Sequence, residues 1–178
     1  MNVVSTTIAG LFLVELDVHA DGRGNFREAY RADRFADHPV LSAFRPVQQN
    51  ISHSVHGVIR GIHAEPWDKF IHIAYGEVFS AIVDLRPDEP TFGSHETFRL
   101  DHTNALFVSR GLGNAFQVVS EVAAYSYLVN AHWDASVPYE AIAFDDAEIG
   151  IVWPVADRVV SEKDMKNPTF EAFRATLS

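Results

Sequence analysis

The stretch GVIRGIHAEPWDKFIHIAYGEVFSAIVDLR, residues 57–86, sets Arg60, His63 and Lys69 at the mouth of two strongly apolar runs. The three side chains have complementary chemistry. A guanidinium grips a phosphate through parallel hydrogen bonds. An imidazole exchanges protons near neutral pH. An ammonium held where water is excluded stabilises a developing oxyanion. Each also has an ordinary explanation: a core histidine bonded to a carbonyl, a solvated lysine at a strand start, or a surface arginine paired with one of the 24 acidic residues. Together they suit one site that binds an anion, moves a proton and holds negative charge on oxygen.

Other residues could join them. Arg23 lies in DGRGNFRE, where two glycines let the backbone approach a ligand closely. Tyr125 and Tyr127, in AAYSYLVNA, project from one face of an extended strand. Core packing is the default for both, but a phenol can donate a proton from the far side of a substrate, so one of the two is a candidate acid. Asp164, in SEKD, is either a solvated loop residue or the carboxylate that orients a histidine and balances its charge. The nine histidines include no H-x-H or H-E-x-x-H spacing that would place two ligands on one metal. No G-x-S-x-G elbow, P-loop or dinucleotide fingerprint is present. Neither a metal nor another cofactor is expected.

Such residues need a rigid frame. The chain has 178 residues, read as one domain over 1–178, and 47% are hydrophobic, enough for a substantial core. No apolar run reaches 18 residues, so no membrane span is expected. IAGLFLV at 8–14 leads straight into Glu15 and Asp17 and reads as a strand, not a signal peptide. With no cysteine there are no disulfides and no thiolate zinc sites, which fits a reducing cytoplasm, the expected location. A net charge of −10 argues against nucleic acid as a partner. Residues 11–18, 70–75, 78–85, 95–100, 105–109, 115–119 and 123–130 are short apolar runs, many bounded by turn residues. The 70–85 pair reads as a hairpin turning at Gly76. Helical signal is thin: a short helix within 30–38, and a C-terminal one capped by Asn167, opened by Pro168 and presenting Phe170, Phe173 and Leu177 on one face. The expected fold is all-β, a sandwich or jelly roll with small helices outside.

The order of these segments resembles one family. DGRGNFREAYR is similar to a D-x-R-G-x-F-x-E segment, and VQQNISHSVHGVIRGIH to Q-x-N-x-S-x-S-x-x-G-V-x-R-G-L-H, both of the dTDP-4-dehydrorhamnose 3,5-epimerase family. GEVFSAIVDLRPDEPTFG, IVWP and SEKD extend the likeness nearly end to end. The resemblance implies a cupin-type jelly roll without a catalytic metal. It implies a homodimer whose RGNF arm reaches the neighbour's site. It implies a dTDP-linked 4-keto-6-deoxy sugar as substrate, deprotonated beside the C4 ketone and reprotonated on the opposite face. On it, His63 is the base, Asp164 its partner, Tyr127 the acid and Lys69 the residue near the ketone oxygen. Arg23, Phe26, Glu28, Gln48, Asn50 and Arg60 match positions that bind the nucleotide diphosphate and adjoining sugar.

Two departures stand out. GLGNAF occupies the place of a G-F-A-H-G-F segment, so Asn114 replaces a histidine. Asparagine can hydrogen-bond a sugar but cannot titrate. AEPWDK is shorter than the usual stretch, which often carries glutamine, and brings Glu65 and Trp67 beside the base. One-centre and two-centre epimerisation both remain open, as do a ketoisomerase using the same enolate and a nucleotide-sugar-binding module without turnover.

Overall fold

In the computed structural model, which describes residues 1–177, alternating apolar residues build two facing sheets. In chain order the strands are β1 (Asn2–Ser5), β2 (Leu11–Glu15), β3 (Val18–Asp21), β4 (Gly24–Arg27), β5 (Gln48–Val55), β6 (Val58–Ala64) and β7 (Lys69–Tyr75). They continue with β8 (Val78–Asp84), β9 (His95–Leu100), β10 (Asn104–Val108), β11 (Leu112–Val118), β12 (Val122–Val129), β13 (Glu140–Ala141) and β14 (Val159–Val160). The first sheet runs β1-β2-β10-β7-β12-β5 and the second β13-β6-β11-β8-β9, with β14 parallel to β6. β3 and β4 form a separate hairpin. This is a jelly roll of the cupin type, as expected.

Strand parity explains the layers. On β7, Ile71 and Ile73 enter the core between the sheets, while Phe70 turns outward. On β8, Val78 and Ile82 point inward, while Ala81 and Val83 face out. The outer face of the first sheet is covered by Phe35, Leu41 and Phe44. That of the second is covered by Ile142, Ile149, Trp153, Phe170 and Phe173. Both faces of β7 and β8 are therefore buried, which is why these strands read as nearly continuous apolar runs.

Several sequence expectations need correction. The run 11–18 breaks into β2 and β3. β5 and β6 were not among the expected strands. The helix expected within 30–38 is a 3-10 turn, Ala32–Phe35. The C-terminal helix α1 (Phe170–Ala175) is capped by the Thr169 hydroxyl, which accepts from Ala172 N–H, so Asn167 and Pro168 lie before it. Phe170 and Phe173 are buried, but Leu177 lies beyond the helix and is exposed. The Gly76 hairpin stands, with φ of 81° in a turn that excludes a side chain.

The turn after β8 is fixed by Asp84, whose side chain is fully buried. It accepts from Arg86 Nε at 2.8 Å and Nη2 at 2.7 Å, and from the Thr91 hydroxyl at 2.6 Å. Asp84→Asn leaves the part-buried guanidinium with only the Glu89 carboxylate, 4.0 Å away, and is expected to cost about 3 kcal/mol, measured by denaturant unfolding. A loss below about 0.5 kcal/mol would show that this cluster is not a stability determinant.

Candidate active site

β6 carries the histidine, and its path is irregular. Arg60 and His63 are three apart, so an ideal strand would point them to opposite faces. The register with β11 shifts: His63 lies opposite Asn114, but Arg60 lies opposite Phe116. Three residues on β6 thus span two on β11, a bulge at Gly61 and Ile62. Both side chains then face the interior, while Ile59 and Ile62 pack outside. Gly61 has φ of 118°, and a Cβ there would sit 2.5 Å from the Asn114 carbonyl oxygen.

Between the sheets lies a cavity of about 290 Å³. From the second sheet and its flanking turn it receives Arg60, His63, Asn114 and Asp164; from the first, Lys69, Tyr125 and Tyr127. His63 Nε2 lies 2.7 Å from Asp164 Oδ1. Asp164 sits in the 3-10 turn Asp164–Lys166, and its Oδ2 also accepts from Gly61 N–H at 3.4 Å. Burial alone would raise the Asp164 pKa. The hydrogen bond and charge of His63, with the Gly61 N–H, outweigh it and hold the carboxyl below its ordinary value. The Tyr139 and His63 rings pack edge-to-face at 5.5 Å between centroids, and Lys163 donates to the Tyr139 hydroxyl.

The two tyrosines have different surroundings. Tyr125 is buried, stacks on Phe116 at 4.0 Å and donates to Asn114 Oδ1 at 3.0 Å. Its proton is committed to that amide. Tyr127 makes no hydrogen bond to the described residues, and its hydroxyl is the uncommitted donor of the pair. Burial raises the pKa of both phenols, most strongly at Tyr125, and the charge of Glu65 adds to the rise at both.

Lys69 is not the solvated lysine that a strand start allows: it is buried and ion-paired with Glu65 across the 65–68 turn. That turn is clamped by Asp68, which accepts from Arg110 Nη2 at 3.0 Å and Asn130 Nδ2 at 2.8 Å.

The other sequence candidates are not among the residues that line this cavity. Arg23 is exposed and paired with Asp21, and Phe26 is exposed on β4. Glu28 pairs with Arg31. Gln48 and Asn50 lie on β5, joined by a 2.7 Å hydrogen bond. Ser52, Phe116, Ser161 and Lys163 line the cavity but were not among the sequence candidates, and Glu65, expected beside the base, lines it too. Ser52 follows Asn50 by the strand period, and Lys163 adjoins Asp164, so local signals existed for both. Among the described residues, no three His, Asp or Glu side chains converge as a metal site, and no helix is long and apolar enough to cross a membrane.

A histidine–carboxylate pair facing a phenol and an ammonium between two sheets suits acid–base chemistry, and the chain is an isomerase of the sugar-epimerising class. Residues 5–172 match the profile of the family described as dTDP-4-dehydrorhamnose 3,5-epimerase, and the chain belongs to that family. It is 40% identical to Protein RmlC homolog of Streptococcus pyogenes serotype M6, over 90% of this chain and 85% of that one. It is 35% identical to the dTDP-4-dehydrorhamnose 3,5-epimerase of Pseudomonas aeruginosa, over 96% of each. Among solved structures it superposes on NovW, a 4-keto-6-deoxy sugar epimerase from Streptomyces spheroides, with TM-score 0.92 and 32% identity, over 99% of this chain and 90% of that one.

Proposed function

We propose that the chain inverts C3, C5 or both of a dTDP-linked 4-keto-6-deoxyhexose in deoxysugar biosynthesis. The observation that carries this is the placement of base and acid on opposite sheets. His63 comes from β6, Tyr127 and Lys69 from β12 and β7, and all three line one cavity. A sugar ring between them presents one face to the imidazole and the other to the phenol. C3 and C5 both flank the ketone, so loss of either proton gives an enolate and needs no redox cofactor.

The geometry supports the roles that the family resemblance implies. His63 takes the proton, and Asp164 balances the imidazolium. Lys69 faces the enolate oxygen. Tyr127 returns a proton to the other face. Arg60 and Lys163 supply positive charge for the diphosphate, and Asn114 offers an amide to the sugar. Gln48 and Asn50 extend this polar lining along β5. Arg23, Phe26 and Glu28 lie outside the cavity, on or just after the β3–β4 hairpin, which supports a homodimer in which this arm completes the partner's site. A nucleotide-sugar substrate implies the cytoplasm as the working compartment, and the whole chain is read as one such unit.

The test is incubation with dTDP-4-keto-6-deoxyglucose in D2O, followed by NMR and mass against an enzyme-free control. Deuterium at C3 or C5 with inversion is expected. Exchange followed by a shifted carbonyl would favour the ketoisomerase, and binding without exchange a module without turnover. Tyr127→Phe is expected to cut inversion by roughly 100-fold or more while exchange of the abstracted proton through His63 falls far less. Equal losses in both would remove Tyr127 from the acid role.

A further inference from the structure

Besides Asp164, the cavity holds one carboxylate, Glu65. It is the only hydrogen-bond partner of the Lys69 ammonium among the described residues. The two side chains are 15% and 5% exposed. Taking a charge out of water is costly, so a cation this deep needs an anion beside it.

The other charged and titratable groups facing the pair can be named by element. Arg60 and His63 come from β6, Tyr125 and Tyr127 from β12, and Lys163 and Asp164 from the turn after β14. Asp164 is already bonded to His63. Behind Glu65 a second cavity of about 440 Å³ is lined by Arg86, Arg110, Tyr139 and Glu140 among others. Its two arginines are engaged by Asp84 and Asp68. Glu65 is therefore the anion that serves Lys69. The same carboxylate acts on Tyr127, where it opposes formation of a phenolate.

We propose that Glu65 is a positioning residue for the reaction: its carboxylate keeps the Lys69 ammonium and the Tyr127 phenol in their proton-bearing forms at the ketone face. An ammonium stabilises an enolate oxygen and a neutral amine does so poorly; a phenol can donate a proton and a phenolate cannot. The inference rests on the epimerase reading of this cavity, but its first test does not need turnover.

The lysines are Lys69, Lys163 and Lys166, few enough to follow individually. Protein carrying 13Cε-lysine is titrated by NMR, with the Lys69 resonance assigned as the one missing in Lys69→Met. In Glu65→Gln, the Lys69 midpoint is expected at least about one pH unit below that of the wild type. An unchanged midpoint would overturn the proposal. Should Glu65→Gln fail to fold, Lys69→Gln reads the same pair from the other side. The Glu65 13Cδ midpoint is then expected to rise by about one unit, and no rise overturns the proposal equally. In the deuterium-exchange assay, the alkaline limb of the rate profile is expected to move to lower pH in Glu65→Gln. A rate lowered at every pH with an unmoved limb would mark a merely structural role. A faster variant would mark a brake on Lys69. Either result would overturn the proposal.

Discussion

His63→Ala is expected to abolish enzyme-dependent deuterium exchange at the sugar while dTDP binding persists. The imidazole is held by the Asp164 carboxylate at 2.7 Å, and it is the only imidazole lining the cavity. General bases contribute roughly 10²–10⁴-fold, so the residual rate should fall by that span. In the proposed function Arg60 and the polar groups of β5 bind the nucleotide diphosphate, and the substitution leaves them in place. Exchange is followed by NMR in D2O and binding by calorimetry. Full exchange in the variant would sink the base assignment. Loss of both exchange and binding would point to a collapsed cavity, detectable as a shifted unfolding transition.

Asp164→Asn should be nearly as damaging, for a different reason. The imidazole keeps its place but loses the charge that balances its protonated form. In buried histidine–aspartate pairs this loss is on the order of 10³–10⁴-fold. The same substitution should alter the response of stability to acid. The folded state holds the Asp164 carboxyl below its ordinary pKa. Such a group stabilises the fold above the unfolded value near 3.9, and the contribution disappears as pH falls through the lower folded value. Between about pH 4 and more acidic conditions, wild-type unfolding free energy should drop more steeply than that of Asp164→Asn. Parallel acid curves would show that the pair contributes nothing to folding.

Much of this arrangement was legible in the sequence where parity holds. Apolar runs gave β7, β8, β10, β11 and β12, because both faces of these strands or their inward face are buried. β5 was not legible as a strand. QQNISHSV is mostly polar, since Gln48, Asn50, Ser52 and Ser54 face inward along a hydrophilic wall and Ile51 and Val55 face out. The grouping of Arg60 with His63 was suspected from residue type, yet strand parity alone would have separated them. Only the bulge at Gly61 reverses that, and a glycine in sequence does not announce a register shift. Asp164 lies 101 residues from His63, a distance along the chain that carries no spatial information by itself. Its role came from the SEKD likeness. Glu65 was visible as a departure, but its pairing with Lys69 depends on how tightly Asp68 clamps the intervening turn. Tyr125 and Tyr127 were equivalent by spacing, and only the Asn114 hydrogen bond separates them.

That hydrogen bond has a kinetic consequence. With Asn114 non-titratable and the Tyr125 proton committed to it, the proposed mechanism has a single base–acid couple, His63 and Tyr127. After one inversion that couple is in the wrong charge state: an imidazolium on one side and a phenolate on the other. A second inversion on the same sugar must wait until both have exchanged protons with solvent. A singly inverted ketosugar is then an obligatory species with its own lifetime. Whether the product carries one new centre or two is set by a race between its escape from the cavity and the recharging of the couple.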